Sequence, residues 1–423
     1  MQRRHLLLGC CAALTVGLFT GLTSRPARAA GRLRNPCLGP GLGALEQDWI
    51  AAAFEGIDAT RLVDTHAHLL GTGDSGSGCT VHPSTEQWWR PMEVLRRTAI
   101  LNSACVPGDV PSIDRAYIER LQALAEGFPA GARWWLFAFD QACDNNGQPA
   151  PDWTTFHVPN DYTRQIARAL PQRFDWVASI HPYRPDALER LDAALTGGAV
   201  AVKWLPSSMN IDPRDARCRP FCEKLAAAGV PLIVHCGEEK AAPGAGQDDL
   251  VNPLLMRHLL AHGTRVIVAH CSSLGAALDI DQASAPKRPA FDLFTRLMDE
   301  REWEGRLLAD ISAVFQRNRK PAVWQTVLRR EDWHARLMHG SDYPLPGLIP
   351  LFSMASLHKA GVLAETDIEP LKRLRAHNPL LFDFVLKRRL RLNGQAAARL
   401  PAALFEARAL ALAPKPQTAP TTR

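Results

Sequence analysis

Short runs rich in β-branched and aromatic residues alternate along the chain with longer segments whose apolar residues recur at helical spacing. Strands that alternate with helices are typical of parallel βα units. Eight strands of this kind predict an α/β fold, a (β/α)8 TIM barrel. The predicted strands are residues 61–69, 98–106, 175–182, 199–206, 230–238, 264–272, 305–313 and 335–344.

A ninth apolar run, RWWLFAFD at residues 133–140, has no place among these eight. We therefore predict an excursion over about 107–157, inserted between the second and third strands. Between later strands, residues 185–196 and 213–228 carry apolar positions at helical spacing, and Gly229 marks a helix end.

The first 29 residues form a separate region. Arg3 and Arg4 precede an apolar stretch and an A-x-A ending at Ala29, the pattern of an export signal rather than a membrane span. The arginine pair followed by HLLLG resembles a twin-arginine signal, whose pathway carries folded proteins across the bacterial inner membrane. We predict a periplasmic protein that keeps no stable membrane anchor once the signal is cleaved.

The predicted domains follow from these limits. Residues 1–29 are the signal, 30–59 a lead-in, 60–390 the barrel, and 391–423 a C-terminal helix and a loose tail. The final residues, APKPQTAPTTR, are too polar to order themselves.

Composition narrows the partners. The chain of 423 residues has 49 basic and 43 acidic side chains, and removal of the signal's four arginines leaves it almost neutral. The chain therefore lacks the surplus of basic residues that would indicate a nucleic-acid partner. In an oxidising compartment, Cys37, Cys79 and Cys143, which lie in predicted loops, are the first candidates for disulfides. Their connectivity stays open.

Polar side chains gather where the predicted strands end. The carboxyl ends of barrel strands meet at one mouth, where catalytic groups stand. His66 and His68 are two residues apart on one strand, so both point to the same side and can share an ion. Imidazoles with a carboxylate are typical ligands of zinc. The polar residues at or near the strand ends are His66, His68, His181, Lys203, His235, His270 and Asp342, of which we interpret His181 as a hydrogen-bonded structural residue.

His-x-His after the first strand, His235, His270 and HGSDYP around Asp342 resemble the amidohydrolase superfamily. SIHPYRPDALERL, AVKWLP and GVPLIVHCGE are similar to its amidohydrolase-related branch, which includes aminocarboxymuconate-semialdehyde decarboxylase. The resemblance runs from about residue 60 to 385.

The resemblance implies a divalent metal ion, Zn²⁺ with Mn²⁺ as the alternative. It implies a ligand set of His66, His68, His235 and Asp342. His270 is implied either as a further ligand or as a catalytic residue, and Asp342 and Lys203 as catalytic residues. Lys203 is either carboxylated between two ions or free and facing an anionic substrate. We expect one ion and a free lysine.

Such a site predicts a hydrolase that uses a metal-activated water, held by Asp342, to cleave an amide, ester or lactone. His270 would stabilise the oxyanion or protonate the leaving group. The alternatives are a metal-dependent decarboxylase of a small carboxylic acid and a non-catalytic exported metal-binding barrel.

The expected substrate is a small carboxylated or aromatic molecule, and a homodimer stays open. Arg184 after the third strand and Arg317 after the seventh are candidates to hold a carboxylate. Trp88 and Trp204 are candidates for apolar walls of the mouth.

Overall fold

The computed structural model describes residues 35, 37, 41–107, 109–392 and 399–412, and in these residues eight parallel strands form one sheet. The sheet closes on itself, because the backbone N–H groups of Thr65 and His68 donate to the carbonyls of His339 and Tyr343, both at 2.9 Å. The predicted TIM barrel is confirmed. Its strands, in order around the barrel, are β1 (Val63–His68), β2 (Arg133–Phe137), β3 (Phe174–Ala178), β4 (Ala201–Trp204), β5 (Leu232–His235), β6 (Val266–Ala269), β7 (Leu307–Asp310) and β8 (Leu337–Met338).

The prediction for the second strand was wrong. Residues 98–106 lie at the end of a helix, Pro91–Ser103, and the supposed excursion contains the true second strand, β2. A short apolar run does not by itself distinguish a buried strand from a helix. Here Pro91 at the first helical turn and the helix formers that follow favour the helix. The long connection therefore precedes β2, and the segment between β2 and β3 is 138–173.

Helices cover the outside of the barrel, and those predicted at 185–196 and 213–228 are confirmed as α5 (Ala187–Thr196) and α7 (Cys218–Ala228). Gly229 ends α7 with a positive φ of 68°, a conformation that glycine adopts without strain. The helices are α1 (Ala44–Phe54), α2 (Pro91–Ser103), α3 (Ile113–Ala125), α4 (Asn160–Ala169), α5 (Ala187–Thr196), α6 (Pro206–Met209), α7 (Cys218–Ala228), α8 (Met256–Ala261), α9 (Ala290–Met298), α10 (Pro321–Arg329), α11 (Met354–Lys359), α12 (Ile368–His377), α13 (Pro379–Arg389) and α14 (Ala402–Phe405).

Among the residues that the structure describes, two antiparallel strand pairs lie outside the barrel, Thr80–Val81 with Phe156–His157 and Ala276–Leu278 with Lys287–Pro289. No helix in the described part of the chain is both long and apolar enough to cross a membrane.

Both faces of the barrel sheet are buried, which explains why its strands read as continuous apolar runs. In β2, Trp135 and Phe137 belong to the cluster inside the barrel, whereas Trp134 and Leu136 belong to the larger cluster under the helices. This alternation puts every second side chain of a strand in the interior. The interior is therefore packed below the mouth.

The C-terminal segment 399–412 closes the other end of the barrel. Ala407 and Ala409 join the interior cluster, and the carbonyl of Leu404 accepts a hydrogen bond from the His339 N–H at 3.1 Å. The Glu406 carboxylate accepts one from the Asp58 N–H at 2.9 Å. This segment, predicted to be a C-terminal helix and loose tail, is a packed plug as far as residue 412. Residues 413–423 and the predicted signal, 1–29, lie outside the described residues.

A disulfide joins the predicted lead-in to the turn that follows helix α2. Cys37 is bonded to Cys105, so the prediction that Cys37 forms a disulfide is confirmed. Cys79 and Cys143, the other candidates, are buried free thiols. Helix α2 contributes Arg96, Ala99 and Ile100 to the main cavity described below, so the disulfide fixes one wall of that cavity.

Replacing Cys105 with serine is expected to lower the free energy of unfolding by about 2–4 kcal/mol, because the bond closes a long loop in the unfolded chain. Its partner is 68 residues away. Urea unfolding of the wild type and the variant, each with and without reductant, measures the effect. Reductant should bring the wild type to the variant's midpoint, and equal midpoints without reductant would contradict a stabilising role.

Candidate metal centre

The ends of β1 and β8 bring three predicted ligands together. Asp342 Oδ1 lies 3.2 Å from His68 Nε2 and 3.5 Å from His66 Nε2. The Asp342 N–H donates to the His66 carbonyl at 2.7 Å, so the pairing that closes the barrel also positions this carboxylate. One ligand atom from each of the three residues lies within 4.8 Å of the others, a spacing that one ion can bridge.

Asp310, at the end of β7, is a site residue that the sequence analysis missed. His66 Nδ1 donates to Asp310 Oδ2 at 2.9 Å, and the His270 N–H donates to Asp310 Oδ1 at 3.0 Å. The bond to the carboxylate fixes the proton of His66 on Nδ1 and leaves the Nε2 lone pair facing Asp342. Carboxylates that orient ligating histidines in this way are common at metal sites. A polar residue at the end of the predicted seventh strand was the available signal.

The chemistry of these atoms fits a divalent ion. His66 Nε2 and His235 Nε2 are buried and have no hydrogen-bond partner. Burial lowers the pKa of His66 to about 4, so its imidazole is neutral at pH 7, the form that binds metal. Two acceptors, His66 Nε2 and a carboxylate oxygen of Asp342, face each other on buried side chains, an arrangement that a cation between them stabilises.

The two remaining histidines face the same cavity but are less closely grouped. The His235 ring lies 5.1 Å from the His270 ring, and His235 Nε2 lies 3.4 Å from Glu239 Oε2. Among the described residues, the ligand groups within 4.8 Å include His270 with His66 and Asp310, but not His235. His270 Nδ1 contacts the Ser312 carbonyl at 3.1 Å, so it carries the proton and leaves Nε2 as an acceptor.

Lys203, at the end of β4, lies fully inside this site. Its Nζ is buried without a hydrogen-bond partner and lies 5.2 Å from the centre of the Phe137 ring. Burial lowers the pKa of Lys203 to about 8, while the carboxylates of Asp310, Asp342 and Glu239 act in the opposite direction. The site therefore holds an amine that is easily deprotonated.

A cavity of about 260 Å³ lies at the mouth of the barrel. One of its walls is lined by the candidate site residues other than Asp310, namely His66, His68, Lys203, His235, His270 and Asp342. Its other walls are mostly apolar. Besides the candidate site residues, the lining includes Leu70, Ile100, Phe139, Phe156, Leu205, Leu274, Leu345, Leu348 and Leu351, with Gln316, Asn318 and Arg319 from the segment after β7.

The four side chains predicted to contact substrate all lie outside this cavity. Trp204 follows Lys203 by one position, so it points out of the barrel, where its Nε1 donates to the Ile180 carbonyl at 2.8 Å. Arg184 lies 3.2 Å from a carboxylate oxygen of Asp186 and 3.7 Å from one of Asp140. Trp88 is 82% exposed, and Arg317 is exposed on the segment after β7.

Asparagine in place of Asp310 is expected to weaken metal binding about 10- to 100-fold, the usual cost of losing such a partner. An amide can donate to His66 Nδ1 and so favours the tautomer whose Nε2 is protonated and cannot bind metal. Titration of metal-free protein with Zn²⁺ measures the change. The matched control is Asp186→Asn, at a carboxylate outside the cavity. Equal zinc affinities in Asp310→Asn and the wild type would contradict the orienting role.

Comparison with known proteins adds a family assignment to this geometry. A family profile described as Amidohydrolase matches residues 63–357. No curated protein matches the sequence significantly.

Solved structures with a similar fold include an uncharacterized TIM-barrel protein from Bordetella bronchiseptica. It is 15% identical with a TM-score of 0.45, and the alignment covers 67% of this chain and 86% of that one. 4-Oxalomesaconate hydratase from Rhodopseudomonas palustris is 14% identical with a TM-score of 0.39, and the alignment covers 77% of this chain and 98% of that one. 5-Carboxyvanillate decarboxylase from Sphingomonas paucimobilis is also 14% identical with a TM-score of 0.39, and the alignment covers 74% of this chain and 96% of that one.

Proposed function

The chain belongs to the amidohydrolase family and is a metal-dependent enzyme, and from this premise we propose that it hydrolyses an amide, ester or lactone bond in a small carboxylated or aromatic molecule. The observation that carries the proposal is the arrangement of His66 Nε2, His68 Nε2 and Asp342 Oδ1 around one point on the cavity wall.

His66, His68 and Asp342 would hold one divalent ion, Zn²⁺ or Mn²⁺, with His235 on the same side of the cavity. When bound, the ion would supply Lewis acidity toward a water molecule and a substrate carbonyl. Asp310 keeps His66 in the tautomer that binds metal.

The residues that surround this point are mainly proton acceptors, which favours attack by water. As the water oxygen bonds to the carbonyl carbon, the water loses a proton, and Asp342 accepts that proton. His270 Nε2, bare because Nδ1 donates to Ser312, lies on the cavity wall and relays that proton to the departing nitrogen or oxygen. Lys203 donates a hydrogen bond to the substrate oxygen that gains charge.

A product screen tests hydrolysis against decarboxylation. Zinc- and manganese-loaded protein is incubated with lactones, esters, amides and aromatic carboxylic acids, and products are identified by mass spectrometry. Hydrolysis adds one water, whereas decarboxylation removes one carbon dioxide. The proposal predicts water addition that disappears in Asp342→Asn. Carbon dioxide loss alone, or no turnover by metal-loaded protein, would overturn it.

We also propose that the protein acts in the periplasm. Arg3 and Arg4 in the predicted signal support export, and the Cys37–Cys105 disulfide suits an oxidising compartment. Replacement of both arginines with lysine should leave the protein in the cytoplasmic fraction. Unchanged recovery from the periplasm would contradict the twin-arginine route.

A further inference from the structure

A buried arginine on the cavity wall has hydrogen-bonding capacity that the fold does not use. Arg319 is 9% exposed; its Nε donates to Ser273 Oγ at 3.2 Å, and its Nη1 donates to Gln316 Oε1 at 2.5 Å and Asn318 Oδ1 at 2.6 Å. These bonds use three of the five N–H groups of a guanidinium. Within the described part of the chain, Nη2 makes no hydrogen bond, and no carboxylate forms an ion pair with Arg319.

The position of Arg319 on the cavity wall distinguishes it from a buried arginine with a structural role. Among the described residues, Arg375 is also buried without an ion pair, but it does not line the cavity; it donates to the carbonyls of Ile349 and Phe352 and lies over a phenylalanine ring. Arg319 lines the cavity, where burial lowers its pKa to about 10; the carboxylates of Asp342, Glu239 and Glu238 act in the opposite direction, but none forms an ion pair with it among the described residues. A buried cation that lacks an anionic partner is costly, so such an arrangement suggests an anion that arrives with a ligand.

The neighbouring glutamine supplies a second unused donor. Gln316 is 1% exposed and lines the same cavity. Its Oε1 accepts from Arg319, which fixes the orientation of the amide, and its Nε2 is buried without a partner. A buried amide donor left unpaired costs free energy comparable to a lost hydrogen bond. Two donor groups on one stretch of wall therefore await an acceptor.

We propose that Arg319 and Gln316 form a subsite that binds a carboxylate group of the substrate. This assignment rests on the proposed function, whose substrate class it narrows to small monocarboxylic acids with an apolar body. The planar edge of a guanidinium pairs with the two oxygens of a carboxylate. Glu238, Glu239 and Asp342 also line the cavity and would repel a doubly charged group such as a phosphate more strongly than a singly charged carboxylate.

The remaining walls suit the rest of such a molecule. Ile100, Phe139, Phe156, Leu348 and Leu351 present apolar surface in a cavity of about 260 Å³, which is enough for a small ring or a short chain. The carboxylate would anchor one end of the molecule at the segment after β7. The bond to be cleaved would then face His66 and Asp342.

Binding measurements on matched pairs of neutral and anionic probes test the subsite. Zinc-loaded protein is titrated by calorimetry with acetate, hexanoate, benzoate and 2-naphthoate, and with the carboxamide of each. The acid that fits should bind about 10- to 100-fold more tightly than its amide, the ratio that one charge-assisted pair supplies. If no acid is preferred over its amide, the proposal is overturned.

Variants distinguish Arg319 from the metal as the group that holds the acid. Arg319→Gln should reduce the acid-to-amide ratio to about one, whereas Arg317→Gln, the same change at an exposed position two residues earlier, should leave it unchanged. Gln316→Glu keeps the volume but places a carboxylate beside Arg319, and should also abolish the preference. Melting temperatures confirm that each variant is folded. An acid preference that persists in both Arg319→Gln and Gln316→Glu would overturn the subsite.

This readout is independent of turnover. Each variant should retain the zinc content of the wild type, because neither residue is a proposed ligand. If wild-type protein bound zinc and preferred an acid but hydrolysed nothing, the proposed function would fail and the subsite would stand. If it hydrolysed substrates without any preference for acids, the subsite alone would fail.

Discussion

Asparagine in place of Asp342 is expected to lower kcat/KM about a thousandfold or more, the scale of loss when a group essential to the reaction is removed. Asp342 Oδ1 faces the Nε2 atoms of His66 and His68, so the substitution removes the negative charge from the point that we assign to the ion. It also removes the proton acceptor for the attacking water.

The local backbone should tolerate this change. Asp342 has a φ of 61°, in the left-handed region that asparagine adopts at least as readily as aspartate. Loss of activity can therefore be separated from loss of fold by circular dichroism. Metal content measured by mass spectrometry should fall together with activity. Asp186→Asn, an exposed carboxylate paired with arginines, is the matched control. A variant that kept its zinc and more than a tenth of its activity would contradict the assignment.

Methionine in place of Lys203 is expected to make the protein more stable and nearly inactive. The lysine Nζ is buried with no hydrogen-bond partner, and burial holds its pKa at about 8, against 10.5 in an exposed lysine. That difference corresponds to a destabilisation of about 3 kcal/mol by the wild-type amine at pH 7. Methionine has similar length and no charge, so it removes this cost. The same change removes the hydrogen-bond donor, which should lower kcat about 100-fold or more.

The stability that Lys203→Met gains over the wild type is expected to fall as the pH rises. Below pH 8 the amine is protonated in both folded and unfolded metal-free protein, so the variant has its full advantage. As the pH rises toward 10.5 the unfolded lysine also loses its proton, and the advantage disappears. Urea unfolding at pH 7 and 10 measures it, with Lys224→Met at a surface ion pair as the control. A variant less stable than the wild type at pH 7 would contradict the prediction.

The sequence was sufficient for those parts of the structure that follow from periodicity. Strand ends point to one mouth in any parallel barrel, so the sequence alone groups His66, His68 and Asp342. The run at 133–140 was misplaced because β2 and the end of α2 are both short and apolar, and pattern alone does not rank them. The pairing between β1 and its neighbours resolves that choice.

Loop side chains were harder to predict, because their direction depends on backbone turns that have no period. Arg317 was chosen and Arg319 was not, although the two differ by two positions on the same segment after β7. Only the fold shows that one is exposed and the other lines the cavity. Asp310 was missed for a different reason: it occupies a strand end, but its acceptor role becomes visible only when β7 lies near β1.

The plug at residues 399–412 sets the order of events during synthesis. β1 can form hydrogen bonds on its second edge only after the residues around 339–343 have been synthesised. The end of the barrel that the plug closes is completed only by the last described residues. At ordinary rates of translation the delay is on the order of tens of seconds. The nascent chain therefore spends that time with unpaired strand edges, which can pair with other chains until the barrel closes.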